Sequence, residues 1–488
     1  MERDCLCHYG IRFEGIGYIA ITHRFLNPNP KEVQPPSSHP HPPRSPTSHL
    51  RLPSSSWVRP LPPDLSRPPL PRKPDYRSNL ATLPSYFAIT SSAAFGEIMN
   101  GRRSPHLERR RSCVGILSVA YALSKGGWLS LVLLLFIAHL SFYTALLLQR
   151  CMDSDPLIKT YPNIGGKAFG RIGSAIISAF MYLELYLVSV EFLILEGDNL
   201  HKLFPKKSFD IFGKKVGGKQ GFILLTGLVV LPTTWLRNLG VLAYVSAGGV
   251  IATVILVVAV LWGGVFDGIG FHERGELWNW NGLPTAVSMF MFCYCGHAVF
   301  PTLCNSMRDK SQFPKVLLVS FSVSTISYGL MAILGYLMFG EHIASQVTLN
   351  LPTKNISSKI AIYTTLMIPI AKYALIIEPV ATSIEETLPF RESKMMSCLI
   401  RTCLVVSTAF VALLVPFFGY VMAFIGAFLG ISMSILFPCL CYWKIVIGFK
   451  RFEVEMMVIL VILCVGMFFE VVGTYTAVTN IINEVQTK

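Results

Sequence analysis

The sequence predicts an all-α polytopic membrane protein with about eleven transmembrane helices, the first of them truncated. Three observations carry that expectation. Of its 488 residues, 52% are hydrophobic and 14% charged, whereas globular chains run near a quarter charged. Mean hydropathy is +0.52. From Val114 onward, apolar runs long enough to traverse hydrocarbon follow one another almost to the end of the chain.

Residues 1–111 are of another kind. Sixteen prolines fall between Pro28 and Pro74, interleaved with Ser, His and Arg. Such a segment cannot bury enough apolar surface to offset its chain entropy, so 1–111 reads as a disordered basic tail and 112–488 as the membrane domain. The tail is either a partner-binding arm or a solvated linker. The formal charge of +14 is uneven: residues 1–113 hold 16 Lys and Arg against 8 Asp and Glu, and the remainder 26 against 20. The surplus sits in the tail rather than on a folded basic face, which argues against a nucleic-acid partner. Ile11 to Ile21 is too short and too broken by charge and glycine for a signal peptide.

The spans fall at 114–124 (short), 128–149, 173–196, 221–236, 239–264, 283–305, 315–340, 358–380, 397–416, 418–443 and 456–481. Lys125, Arg150, Arg171, Arg274, Arg391 and Lys450 are among the charges that separate them. Tyr161 to Arg171, rich in glycine and lysine, reads as a short amphipathic piece at the interface. The twelve cysteines lie mainly inside spans (Cys293, Cys295, Cys439, Cys441, Cys464) with no zinc or disulfide spacing, so they are expected to be free and buried.

Lysine and arginine in the short loops set the orientation. With Arg150 on the cytoplasmic side, the cytoplasmic loops hold fourteen such residues and the opposite side five, plus six lysines between Lys202 and Lys219 that run against the rule. The sequon Asn355-Ile356-Ser357 then falls on the non-cytoplasmic side, where glycosylation requires it.

The stretch from Leu283 to Met307 opens as an apolar span and interrupts itself with Cys295-Gly296-His297 and Pro301. A break in lipid frees peptide groups that neighbouring helices, water or a ligand must satisfy. Transporters build midplane sites from such discontinuous helices, although a proline-kinked packing helix has the same pattern. A second Gly-rich interruption, Val114-Gly115-Ile116-Leu117-Ser118, lies at the start of the membrane region.

The run from Val114 to Trp128 resembles the first-helix motif of the amino acid/auxin permease family. The resemblance continues through Thr160-Tyr-Pro-Asn-Ile-Gly-Gly-Lys-Ala-Phe-Gly170, Glu196-Gly-Asp-Asn-Leu200, Cys295-Gly-His297 and Phe300-Pro301. It covers about 114–481 and is nearest to the plant vacuolar amino acid transporters. It implies a five-plus-five inverted-repeat transporter fold with helices 1 and 6 broken at the substrate. Two departures stand out. Ala120 replaces the proline of the family's Ser-Val-Pro-Tyr pattern, and upstream of the motif stand Arg109, Arg110 and Arg111. Each arginine costs about 2.5–3.5 kcal/mol at a helix centre in the bilayer. The first half of helix 1 is therefore expected to be missing, from a truncated or mis-assembled coding sequence joined to an unrelated leader.

A free amino acid is a zwitterion, so its site must meet a carboxylate and an ammonium. Half-helix amino ends supply donors and broken-helix carbonyls supply acceptors. The resemblance implies Gly115, Ile116 and Ser118 in helix 1, with Cys295, Gly296 and His297 facing them. His297 is either a proton-coupling group or a neutral histidine hydrogen-bonded inside the bundle. In the third span Glu184 and Glu191, seven residues apart, share a helix face. Glu191, mid-span, is the preferred ion-coupling candidate. Glu196 and Asp198 are placed near the surface. Lys372 either neutralises one of these glutamates or stands in a cation site as a fixed charge, and Glu378 reads as interfacial.

No metal cluster, nucleophile elbow or phosphate loop appears, so neither an enzyme nor a cofactor is expected, only an ion gradient. The expectation is a proton-coupled secondary transporter of neutral amino acids in a vacuolar membrane, the plasma membrane being the second choice. Its partners are the amino acid and the bilayer. The alternative is a non-transporting amino-acid sensor or an inactive truncated transporter.

Overall fold

The computed structural model describes residues 115–488 apart from 212–213, 236–239, 308, 389–392, 449–453 and 487–488. The basic tail and the segment 100–114, on which the expected truncation falls, lie outside the described residues. The chain is helical: α1 Gly115–Gly126, α2 Ser130–Asp153, α3 Tyr161–Leu203, α4 Gly218–Trp235, α5 Gly240–Val265, α6 Leu283–Tyr294, α7 Phe300–Ser306, α8 Phe313–Phe339, α9 Ile356–Thr387, α10 Lys394–Leu414, α11 Phe418–Ile447 and α12 Val454–Gln486. A short antiparallel hairpin, β1 Phe209–Ile211 with β2 Lys214–Val216, links α3 to α4. Among the described residues, eight helices are long and apolar enough to cross a membrane, counting α6 and α7 as the halves of one crossing. The protein is thus an all-α polytopic membrane protein. The described part of α1, 12 residues, spans about 18 Å.

Local chemistry fixes many of the boundaries. Pro162, Pro284, Pro301 and Pro314 each sit in the first turn of a helix, where the missing N–H costs nothing. Ser393 caps α10 by accepting from the Met396 amide. The expected interfacial piece and third span are joined as one helix, kinked at Phe169 and Gly170. Gly170 has φ 68°, which only glycine adopts without strain. α3 then runs on to Leu203, beyond the expected end at residue 196.

Burial ranks the helices. In α6 and α7, 89% of the membrane window is buried, against 22% in α12. The broken crossing is therefore the core and α12 the periphery, where Val461, Phe468 and Val471 face outward as lipid solvates them. α1 packs on α6 and α8, while α3 runs between α9, α4 and α10. Ala120, at the position where the resemblance implies proline, abuts Gly335 of α8: a Cβ on Gly335 would lie 2.5 Å from that of Ala120.

α11 departs from its apolar pattern in a way the sequence does not signal. Ile425–Gly430, Ser432–Leu436 and Trp443–Ile447 are π-helical. Such wide turns cluster at functional sites. The first of them lies against α6 so closely that a Cβ on Gly426 would come within 1.9 Å of the Ser288 carbonyl oxygen.

On the non-cytoplasmic side, by the charge rule, residues 340–351 fold inward as two 3-10 turns, Gly340–His342 and Val347–Leu349. Ile343, Gln346, Val347 and Thr348 are buried. The end of α3 holds this segment: Asn199 Nδ2 donates to Gln346 Oε1 at 2.6 Å, and Thr348 Oγ1 donates to Asn199 Oδ1 at 2.8 Å. Two of the six lysines that run against the charge rule are engaged here. Lys202 donates to the Leu349 carbonyl and Lys219 pairs with Asp198.

Candidate substrate site at the broken helix

α6 ends where the sequence places the break. Cys295 turns extended (φ −71°, ψ 115°), His297–Val299 form a single 3-10 turn, and α7 restarts at Phe300. The amino end of α1 lies against this break, the Cys293 thiol reaching the Gly115 carbonyl at 3.6 Å. A Cβ on Gly115 would sit 3.0 Å from that sulfur, so glycine permits the approach. Ile116 and Ser118 are buried, and the Ser118 hydroxyl has no hydrogen-bond partner among the described residues.

The side chains at the break point in three directions. Cys293 meets α1. Cys295 donates its S–H to Glu184 Oε1 on α3 at 2.8 Å. His297 turns to α2, with Nε2 2.9 Å from Thr144 Oγ1 and 3.1 Å from the Ser141 carbonyl. A carbonyl only accepts, so Nε2 carries the proton and Nδ1 is left buried without a partner. The expectation that Cys295, Gly296 and His297 all face α1 is thus corrected: Cys293, which the sequence reading did not single out, makes that contact. The residue spacing was informative about the break, not about which way each side chain leaves it.

The carboxyls of α3 carry the second correction. Glu184, Glu191 and Glu196 are all fully buried. Glu196 was expected near the surface, but α3 continues past it and the 340–351 segment closes over its end. Glu184 has Cys295 as its partner, whereas neither oxygen of Glu191 or of Glu196 has one among the described residues. Glu191 and the Cys293 thiol are within electrostatic reach of one another. Lys372 is buried on α9. Glu378, expected at the interface, is buried and grips Arg401 through both its oxygens. Asn355 stands half-exposed at the start of α9, and the Ser357 hydroxyl of its sequon donates to Asp267.

Further polar groups at this depth were missed by the sequence reading. Ser434, in the second π-helical segment of α11, is buried against the Cys295 thiol of the break. Tyr161 donates to the Met433 carbonyl at 2.7 Å, tying the start of α3 to that segment. A buried serine in an apolar run carries no signal until the neighbouring helix is known.

The model of the transmembrane amino acid transporter proteins matches residues 112–479, most of the chain. The chain belongs to that family. It is similar to amino acid transporter AVT1I of Arabidopsis thaliana, 51% identical over 376 residues, or 77% of this chain and 93% of the relative. It is also similar to AVT1J, 48% identical over 76% of this chain and 88% of the relative, and to AVT1B, 43% identical over 86% and 76%, both from the same organism. In this member of the amino acid transporter family the broken crossing is the most buried of the eight described spans. No group of three or more His, Cys, Asp or Glu able to hold a metal occurs among the described residues.

Proposed function

We propose that the chain is a secondary transporter that moves neutral amino acids across a vacuolar membrane and is driven by a proton gradient. The observation that carries this reading is the meeting of Gly115 of α1 with the interrupted α6, within electrostatic reach of a buried carboxyl that has no partner among the described residues. The amino end of α7 offers amide donors and positive dipole to a carboxylate. The carboxyl end of α6 offers carbonyls to an ammonium. Ile116, Met291 and Phe292, buried around the contact, are apolar and suit an uncharged substrate side chain. A carboxylate in this setting is costly unless it binds a proton or a cation, which gives a driving ion its place. The vacuolar assignment rests on the resemblance to plant vacuolar transporters.

The test is counterflow. Full-length protein in proteoliposomes preloaded with a mixture of neutral amino acids should accumulate labelled tracer, and an imposed pH gradient should increase the accumulation. Tracer that equilibrates no faster than in empty liposomes would rule the reading out.

A further inference from the structure

On α3 the acids Glu184, Glu191 and Asp198 recur at a strict interval of seven residues. Seven residues are about 20° short of two full turns, so the three leave the helix along one stripe, about 10 Å apart. Glu196, five residues beyond Glu191, lies about 140° round and is not part of it. The lowest member, Glu184, accepts from Cys295 at the break. The middle member, Glu191, is fully buried, has no partner among the described residues and is within electrostatic reach of Cys293. The highest, Asp198, is at the inturned 340–351 segment, where Gln346 Nε2 donates to its Oδ2 at 3.1 Å and Lys219 pairs with its Oδ1.

The geometry points to a proton path along this stripe, with Asp198 as the group that takes the proton from the non-cytoplasmic water and gives up one attachment of the 340–351 segment in doing so. This deepens the proposed function and rests on it. A proton arriving at Asp198 forms an O–H bond on the carboxylate, and the charge that holds Lys219 and Gln346 is lost. The segment is then freed from one of its attachments to α3 at the moment when the coupling ion arrives. From Asp198 the proton passes through intervening water to the Glu191 carboxyl, and Glu184 reports its charge to the break through Cys295. Other charged and titratable groups stand on the elements packed against this helix. Arg401 on α10 is held by Glu378 and Glu385, His297 is bonded to α2, and Lys372 stands on α9.

The test compares Asp198→Asn with wild type in proteoliposomes, reading two fluxes of labelled neutral amino acids. Gradient-driven uptake should fall by at least about tenfold, while counterflow at equal pH falls by less than about threefold. Asp198→Glu, which restores a titratable group, should recover most of the gradient response. Retention of full gradient drive by Asp198→Asn, or equal loss of both fluxes in a variant that elutes and melts like wild type, would overturn the path. Absence of counterflow in the wild type removes the transporter reading itself, a different result from loss of the gradient response alone.

Discussion

Two sets of buried carboxyls lie in this bundle, and they are treated in opposite ways. At the end of the bundle that the charge rule places on the cytoplasmic side, Glu378 and Glu385 of α9 surround Arg401 of α10. Its Nε donates to Glu385 at 3.0 Å, Nη2 to Glu378 at 2.9 Å and Nη1 to the Thr234 carbonyl at 2.7 Å, while Ser397 adds a bond to Glu385 at 2.5 Å. Every nitrogen of the guanidinium is used, and α4, α9 and α10 are held at one point. On α3, by contrast, five carboxylate oxygens of Glu184, Glu191 and Glu196 are buried with no partner among the described residues. A buried charge is tolerated when it is paired and fully hydrogen-bonded; without that it is neutralised or waits for a ligand. The first set therefore reads as structure, the second as function, although the residue types are alike.

The comparison is broken most severely at Arg401. Arg401→Ala leaves two carboxylates buried without their cation, and removing one partner of such a pair costs about 3–5 kcal/mol. The expected outcome is loss of most folded protein, read by fluorescence-detected size exclusion. A wild-type melting midpoint for this variant would show that the clamp is not structural. Glu191→Gln probes the other set and should behave in reverse. It removes no hydrogen bond, so the melting midpoint should hold or rise. Gradient-driven uptake should fall by about tenfold or more, since an amide cannot carry the proton. A strongly destabilised Glu191→Gln would mean that the carboxyl has a structural partner after all.

A third prediction concerns the wall that the π-helical turns of α11 form against α6. Gly426→Ala places a methyl 1.9 Å from the Ser288 carbonyl oxygen, and backbone cannot swing aside as a side chain does. A cost of about 1–3 kcal/mol is expected, as for overpacked cores. Gly430→Ala is the internal control, since the nearest atom to its new Cβ is 3.5 Å away. Thermal unfolding of the two variants side by side should separate them clearly. Equal midpoints would show that the π-helical turns yield easily.

How much of this was legible in the sequence follows from the physics of each feature. The break at Cys295 and Gly296 was, because glycine and proline in an apolar run are expensive in lipid whatever surrounds them. The stripe of Glu184 and Glu191 was too, because helical periodicity alone puts them on one face. The Arg401 clamp was not: Arg401 and Glu378 are 23 residues apart on different helices, and each looks interfacial alone. Nor was the direction of His297, which depends on Ser141 and Thr144 of α2. The burial of Glu196 was missed because the end of α3 is set by the 340–351 segment, whose inward fold rests on Asn199 meeting Gln346 across 147 residues. Single-helix properties could be read from the chain, whereas partners between helices could not.

The smallest effect is expected at His297, and it sharpens the contrast where the sequence left two readings open. His297 is satisfied at Nε2 and packs on Phe300 with ring centroids 4.8 Å apart, so it resembles the clamp more than it resembles Glu191. His297→Gln keeps an N–H donor for the Ser141 carbonyl and loses the ring contact. A loss of about 1 kcal/mol in stability is expected, the ordinary scale for one hydrogen bond in a core. The ratio of gradient-driven uptake to counterflow should stay within about threefold of wild type, because the proton is assigned to carboxyls and not to the imidazole. If His297→Gln instead loses gradient drive while counterflow persists, and Glu191→Gln keeps both, coupling belongs to the ring and the unpartnered acids of α3 need another explanation.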